Sequence, residues 1–278
     1  MFPQVTFDVS HPEIQDAVRR ALAEDVGTGD ITTNLCVPHA ATATGRMVAR
    51  ESLTLAGVEL LPLIFTDCIV ALTRRSGDRV EVGGEIAVVQ GPARELLTGE
   101  RTALNFIQRL SGVATRAAEY VRAVEGTRCR ILDTRKTTPG LRRLEKMAAA
   151  AGGAVNHRMG LFDAVLIKNN HITAAGGVRA ALERTRDAGV PVEIEVRTRE
   201  ELDQALACGA THLLLDNLSP ADAKDWILHI HGRATVELSG GITLETARSF
   251  AETGADFVSI GAITHSARAV DINFRLEL

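Results

Sequence analysis

The sequence predicts a mixed α/β protein with an antiparallel sheet in its first third and an incomplete parallel α/β barrel after it. Up to about residue 90, short stretches of alternating apolar and polar residues are separated by glycine or charged turns, which is typical of antiparallel strands. After Pro92, short apolar runs alternate with helical segments, which is typical of parallel α/β domains. A closed eight-stranded barrel usually needs about 250 residues. Only about 150 residues are available for the apolar runs and the helices between them, so an incomplete barrel is expected.

The first part begins with an amphipathic helix over residues 10–26, where Ser10 and Glu13 have capping-box spacing and Gly27 ends the helix. The segment TGDITTNLCVP is polar and predicts a turn. Four strand-like stretches follow: ATGRMVAR, LTLAGVEL, CIVALTRRSGDRV and GEIAVVQG. We place the domain boundary after residue 112, so that residues 1–112 form the first domain and 113–267 the barrel. Residues 268–278 would then form a tail that packs on the first domain.

The second part begins with a helix over residues 93–124, and then six apolar runs of strand length follow. These runs are RILDT, AVLIK, VEIEV, HLLLDN, TVELSGG and FVSIG. The helices between them carry start signals. Thr198 and Glu201 have capping-box spacing, and Ser219 precedes a proline at the first helical position.

Composition excludes several classes of protein. Apolar residues make up 45% and charged residues 24%, as in ordinary globular proteins, and no apolar run is long enough to span a bilayer. The N-terminus has no signal-peptide pattern, and the four cysteines are scattered without a CxxC pair, so a cytoplasmic location is expected. The net charge of −4 argues against a nucleic-acid surface.

Polar residues follow each of the six apolar runs, at the edge where parallel α/β barrels place their active sites. A set of cationic side chains comes from three separate segments, and such a set needs an anionic ligand. Its members are Arg135, Lys136, His157, Arg158 and Lys168.

Glu195 and Asp216 follow neighbouring strands, and two carboxylates in an anion site favour a bound Mg²⁺ ion. The alternative is that they pair with the nearby cations. The glycine-rich turns Ser239-Gly240-Gly241 and Gly261-Ala262 expose backbone N–H groups at helix starts, which is typical of a phosphate site.

Several motifs resemble those of the quinolinate phosphoribosyltransferase family of type II phosphoribosyltransferases, in the same order and over nearly the whole chain. DTRKTTPG and NHRMGLFDAVLIKNNH are long and specific. The matching stretches are ALAEDVGTGDITT (21–33), ERTALNFIQRLSGVAT (100–115), DTRKTTPGLRRLEK (133–146), GGAVNHRMGLFDAVLIKNNHI (152–172), VEIEV (192–196), LLLDN (213–217), SGGI (239–242) and GADFVSIGAITHS (254–266).

The resemblance implies an N-terminal open-faced antiparallel sandwich, an incomplete α/β barrel of about six strands, and a Mg²⁺-dependent reaction of quinolinate with phosphoribosyl diphosphate. It implies a homodimer that can assemble further, in which Arg101 reaches quinolinate in the partner's site. The roles carried over by motif are binding of the quinolinate carboxylates by Arg135, His157 and Arg158, contact with phosphoribosyl diphosphate or substrate by Lys136 and Lys168, ribose and metal binding by Glu195 and Asp216, and 5′-phosphate binding by Ser239-Gly240 and Gly261-Ala262. Thr134 and Gly241 are further expected substrate contacts. The expected catalytic residues are Lys136, Lys168, Glu195 and Asp216.

Three other functions remain open from the residues alone. A Schiff-base lyase could use Lys168 but would leave the arginines and carboxylates without a role. A lipoyl-type carrier would need a lysine in the stretch GDRVEVGGEIAVVQG, which has none. A nicotinate phosphoribosyltransferase would bind one ring carboxylate and would not decarboxylate its substrate, so the surplus of arginines favours quinolinate.

Overall fold

The computed structural model describes residues 5–277, so residues 1–4 and 278 of the predicted first domain and tail lie outside the described residues. The helices are α1 Pro12–Val26, α2 Ile31–Cys36, α3 Leu61–Ile64, α4 Ala93–Ala123, α5 Arg142–Ala151, α6 Asn169–Ala175, α7 Val178–Thr185, α8 Arg199–Ala207, α9 Pro220–Ile230, α10 Leu244–Ala251 and α11 Ala262–His265. The strands are β1 Thr42–Ala49, β2 Leu53–Thr54, β3 Ile69–Leu72, β4 Arg79–Val80, β5 Glu85–Pro92, β6 Arg130–Leu132, β7 Val165–Ile167, β8 Val192–Val196, β9 His212–Asp216, β10 Thr235–Ser239, β11 Phe257–Ser259 and β12 Ile272–Glu277.

The described chain divides into two compact units, one of residues 5–118, 137–153 and 263–277, and the other of residues 119–136 and 154–262. The first unit contains a four-stranded antiparallel sheet in the order β12-β1-β5-β3. Every second residue of β1 is buried, as expected for a sheet with one face on the core. The last strand, β12, lies at the edge beside β1.

The second unit contains six parallel strands in the order β6-β11-β10-β9-β8-β7. The six apolar runs in the sequence are these six strands, and five of the connecting helices lie where the pattern placed them. The predicted fold class, an incomplete parallel α/β barrel with an N-terminal antiparallel sandwich, is confirmed. Because all six strands are parallel, their carboxyl ends lie at one edge of the sheet, and this edge is where the polar residues collect.

Three local predictions were wrong. Ser10 does not cap α1: its hydroxyl binds Asp8, and the cap is His11, whose Nδ1 accepts from the Glu13 N–H at 3.2 Å. The segment predicted as a turn contains α2, which Asp30 caps by accepting from the Thr33 N–H at 2.9 Å. The stretch LTLAGVEL holds only the two-residue β2 followed by a 3₁₀ turn over Val58–Leu60.

The described residues include no helix long and apolar enough to cross a membrane.

Candidate active site

The edge formed by the carboxyl ends of the parallel strands carries every candidate site residue except Arg101, and all of them belong to the second unit. Arg101 is an exposed residue of α4 in the first unit. Among the others, His157, Arg158 and Glu195 are buried, whereas Lys136 and Lys168 are exposed. The structure therefore brings buried charges and accessible lysines to one edge of the sheet.

Asp133 explains why His157 and Arg158 reach this edge although no strand ends at them. The segment before them runs parallel to β6, with a bridge between Leu132 and Val155. Beyond the bridge, the carboxylate of Asp133 accepts from the His157 N–H at 2.8 Å and from Asn156 Nδ2 at 2.7 Å. Asp133 is fully buried, so these hydrogen bonds fix the backbone of the segment.

The Nε2 atom of the His157 imidazole contacts two buried glutamates from different strands. Its Nε2 is 3.1 Å from Glu193 Oε2 in β8 and 3.4 Å from Glu237 Oε2 in β10. Burial lowers the pKa of His157, but the hydrogen bonds to the glutamates outweigh burial and raise it to about 9. Burial and the charge of Glu237 raise the pKa of Glu193 to about 7. The histidine is therefore the cation of a buried cluster with two carboxylates.

Arg158 is buried, with an exposed fraction of 6%. Its Nη1 donates to the Ala164 carbonyl at 3.2 Å, and its buried Nε has no hydrogen-bond partner in the part of the chain that the structure describes. Burial and the charge of Arg135 lower the pKa of Arg158, and the charges of Asp163 and Glu193 oppose this shift only in part. A buried donor without a partner is unfavourable, and a bound anion would satisfy it. This arrangement can bind a carboxylate.

Glu195 and Asp216 lie on neighbouring strands and share one arginine. Arg197 Nη2 is 2.6 Å from Glu195 Oε1 and 3.9 Å from Asp216 Oδ2. Asn217 adds a hydrogen bond from its Nδ2 to Asp216 Oδ2 at 2.6 Å. The predicted alternative of pairing with cations is thus partly observed, but the partner is Arg197, which we did not predict. Its position immediately after the acidic strand VEIEV was the signal in the sequence.

The turn after β10 packs closely on Asn217. Gly240 has φ +102°, and a Cβ there would lie 2.3 Å from Asn217 Oδ1 and 2.7 Å from its backbone nitrogen. The Asn217 N–H donates to the Ser239 carbonyl at 2.9 Å. Only glycine fits at residue 240, and this close packing places the backbone of Ser239–Gly241 beside the carboxylate of Asp216.

Lys136 and Lys168 follow β6 and β7 respectively. The Lys136 N–H donates to Thr134 Oγ1 at 3.1 Å, which forms a tight turn at the end of β6. Asn169 and Asn170 belong to α6, which begins directly after Lys168. His171 Nδ1 accepts from the Lys168 N–H at 2.9 Å and fixes this helix start.

An open parallel α/β sheet whose carboxyl edge carries buried arginine, histidine and carboxylate side chains defines an enzyme that acts on small anionic molecules. Comparison with known proteins identifies the particular family. Residues 30–111 match the family model for the quinolinate phosphoribosyl transferase N-terminal domain, and residues 113–275 match that for its C-terminal domain. The chain belongs to the quinolinate phosphoribosyltransferase family, and it is an enzyme of the pentosyltransferase class.

Curated relatives match this chain over nearly its whole length and over nearly the whole of their own. The chain is 42% identical to the carboxylating nicotinate-nucleotide pyrophosphorylase of Mycobacterium leprae, over 97% of this chain and 99% of that protein. It is 38% identical to the probable carboxylating nicotinate-nucleotide pyrophosphorylase of Bacillus subtilis, over 97% and 96% respectively. The structure of the nicotinate-nucleotide pyrophosphorylase from Francisella tularensis is 37% identical with a TM-score of 0.94, and each chain covers 100% of the other. Human nicotinic acid phosphoribosyltransferase, at 14% identity and a TM-score of 0.65, shares the fold alone.

Proposed function

We propose that the enzyme joins quinolinate to phosphoribosyl diphosphate and releases nicotinate mononucleotide, CO₂ and diphosphate in NAD biosynthesis. The ring nitrogen forms a bond to C1 of the ribose as the bond from C1 to diphosphate breaks. The 2-carboxylate then leaves as CO₂, and the ring carbon takes up a proton. The observation that carries this proposal, beside family membership, is the pair of buried cations His157 and Arg158 with the half-buried Arg135, because two ring carboxylates require more than one cation.

Arg135, His157 and Arg158 bind the two carboxylates of quinolinate in this proposal. The support is that Arg158 keeps a buried donor without a partner among the described residues, and that the charge of Arg135 acts on it. Burial excludes water from the site, which favours loss of the 2-carboxylate as neutral CO₂. Arg101 of a second subunit completes the quinolinate site.

The donor binds at the ends of the remaining strands. Lys136 and Lys168 are exposed and can follow the diphosphate as it leaves, which stabilises developing negative charge. Thr134 lies in the turn before Lys136. Glu195 and Asp216 accept hydrogen bonds from the ribose hydroxyls. The backbone N–H groups of Ser239, Gly240, Gly241, Gly261 and Ala262 hold the 5′-phosphate, and the close packing of Gly240 on Asn217 supports this role.

Glu195 and Asp216 are also the residues proposed to hold Mg²⁺. Their carboxylate oxygens are the donors that this ion prefers, and both carboxylates reach the same guanidinium, that of Arg197, so they face a common space. When bound there, Mg²⁺ would neutralise the charge of the diphosphate. Arg197 occupies this space in the structure and would have to move aside.

We further propose a cytoplasmic homodimer. The four cysteines Cys36, Cys68, Cys129 and Cys208 are free thiols, which supports a reducing compartment. The argument for a dimer is the position of Arg101 in the ERTALN motif. The proposed chemistry needs this cation, but it lies on α4 and not at the end of a strand.

The test measures release of CO₂ from quinolinate labelled in its 2-carboxylate. We expect release that depends on phosphoribosyl diphosphate and Mg²⁺, and a rate on nicotinate at least about tenfold lower, because nicotinate leaves one cationic position unpaired. Equal turnover of the two substrates would favour the nicotinate phosphoribosyltransferase alternative. Trapping of a covalent adduct on Lys168 by borohydride would favour the Schiff-base alternative.

A further inference from the structure

We propose that Glu237, together with Glu193, is a positioning residue for quinolinate that acts through His157. The two carboxylates hold the imidazole by Nε2 and fix the plane of the ring before the substrate binds. This inference rests on the proposed function, in which His157 contacts quinolinate.

Three carboxylates contact His157, one at its backbone and two at its ring. The carboxylate of Asp133 accepts from the His157 backbone N–H at 2.8 Å, and the ring Nε2 lies 3.1 Å from Glu193 Oε2 and 3.4 Å from Glu237 Oε2. The glutamates come from β8 and β10, so the ring is held by two different strands of the sheet. A ring fixed in this way cannot rotate without breaking hydrogen bonds to buried charges.

Structural stability alone does not explain this arrangement. His157, Glu193 and Glu237 are each exposed by 7% or less. Burying two carboxylates beside each other is unfavourable, and replacing such ionic groups by apolar residues often stabilises a protein. A raised pKa of His157 agrees with a ring that stays cationic between the glutamates. The buried charges of His157, Glu193 and Glu237 are therefore electrostatically unfavourable, and they lie where a dicarboxylate is proposed to bind. Such arrangements are common at functional sites.

The distances also fit three ligands of one metal ion, since the three donor atoms lie within 4.8 Å of one another. We favour the hydrogen-bonded ring because Nε2 lies within hydrogen-bond distance of Glu193 and the backbone of His157 is fixed independently by Asp133. A metal at this position would block Nε2 and would be lost together with Glu237.

The variant Glu237→Met removes the acceptor and keeps a buried side chain of similar length. We expect its Kd and KM for quinolinate to rise about tenfold, as for loss of one hydrogen bond to a charged group, while kcat changes less than about threefold. Glu237→Gln keeps an oxygen acceptor and should recover most of the wild-type affinity. The KM for phosphoribosyl diphosphate should not change.

The matched control is Asp256→Asn. It removes a half-buried carboxylate that accepts from the Val236 N–H at 2.9 Å, at the amino end of β10, the strand that carries Glu237.

A double-mutant cycle separates action through His157 from a general effect on the fold. His157→Gln alone should raise the Kd for quinolinate, and adding Glu237→Met should change it less than about twofold further. Independent, multiplying effects would overturn the proposal, and so would a Glu237→Met variant with wild-type affinity. A stoichiometric metal in the purified enzyme that is lost in Glu237→Met would overturn it as well.

The same cycle distinguishes a failure of the proposed role of His157 from a failure of the inference about Glu237. If His157→Gln leaves the Kd for quinolinate unchanged, the role of His157 in the proposed function is wrong. If His157→Gln weakens binding but Glu237→Met does not, the proposed function stands and only the inference about Glu237 fails. Thermal unfolding of each variant confirms that it folds.

Discussion

Arg158 illustrates how burial changes what a single residue can do. Its guanidinium is buried beside Arg135, and one of its donors has no partner within residues 5–277. A lysine at this position would keep the charge but would lose the planar arrangement of donors that matches a carboxylate. The shape of the guanidinium, as well as its charge, should therefore matter for binding.

We expect Arg158→Lys to raise the KM for quinolinate by about tenfold to a hundredfold, because the proposed contact with a carboxylate could then be made by only one donor group. Steady-state kinetics with quinolinate as the varied substrate measures this effect. Arg186→Lys is the matched control, since Arg186 is exposed on the surface of the same unit. Wild-type kinetics in Arg158→Lys would show that charge alone is needed.

The carboxylate pair gives a second prediction at the residue scale. Glu195→Gln and Asp216→Asn should each increase the Mg²⁺ concentration needed for half-maximal rate and lower the rate by about 10²-fold, because each would remove one proposed ligand of a hard cation. The control is Glu200→Gln, an exposed carboxylate in the first turn of α8. Variants with an unchanged Mg²⁺ titration would show that the pair serves only to bind Arg197.

The sequence predicted the residues of the candidate site better than their contacts. Glu195 and Asp216 could be placed because each ends a strand in a parallel sheet. The buried group of His157, Glu193 and Glu237 could not, since it joins two strands and a segment that only the pairing of Leu132 with Val155 brings alongside β6. Glu193 did carry a signal: in VEIEV it alternates with Glu195 and so lies on the same face of β8.

At the scale of elements, the start of a helix was predicted correctly where the sequence offered a single capping residue. Thr198 and Ser219 cap α8 and α9 as expected, with side chains that accept from the Glu201 and Asp222 N–H groups. Prediction failed where two adjacent polar residues compete. Ser10 and His11 could both cap α1, and Ser10 binds Asp8 instead. In the sequence, Asp30 is equally compatible with a turn and with a helix cap. The structure shows that it is the cap of α2.

The connection of the C-terminal strand to β1 depends on Glu51. Its carboxylate binds Arg268 and accepts from the Asp271 N–H at 2.7 Å, just before β12 begins. The hydrogen bond from Arg268 is the main cause that lowers the pKa of Glu51 from 4.5 to about 2, against a smaller effect of burial. The folded state therefore favours the ionised carboxylate, and this stabilisation is present above pH 4.5 and is lost as the pH falls towards 2.

We expect Glu51→Gln to lower the free energy of unfolding by about 1 kcal/mol at neutral pH, a value reduced for the solvent exposure of Arg268. The difference from wild type should shrink as the pH falls from 5 to 3, as measured by urea denaturation. The control is Glu277→Gln in β12, because the exposed partner of Glu277, Arg46, also pairs with Glu85 at 2.8 Å. A difference that does not depend on pH would contradict the role of the ionised carboxylate.

At the scale of the whole molecule, the candidate residues divide unequally between the two compact units. Arg101 belongs to the first unit, and the remaining candidates belong to the second. A helix residue that merely faces solvent would not need to lie in the specific motif ERTALN. Its place beside the buried Thr102 leaves the guanidinium exposed while the helix packs, which suits a side chain delivered to a neighbouring subunit.

The proposed sharing of sites between subunits predicts that two inactive variants can restore each other. Arg101→Ala and Lys136→Ala should each be nearly inactive as homodimers, because each lacks a cation in both sites. After dissociation and random reassociation of equal amounts, half of the dimers are heterodimers, and each of these has one intact site of two, so about a quarter of the wild-type activity should return. Reassociated wild-type enzyme corrects for losses during the procedure, and differently tagged subunits allow the heterodimers to be isolated. Heterodimers without activity would show that Arg101 acts within its own subunit.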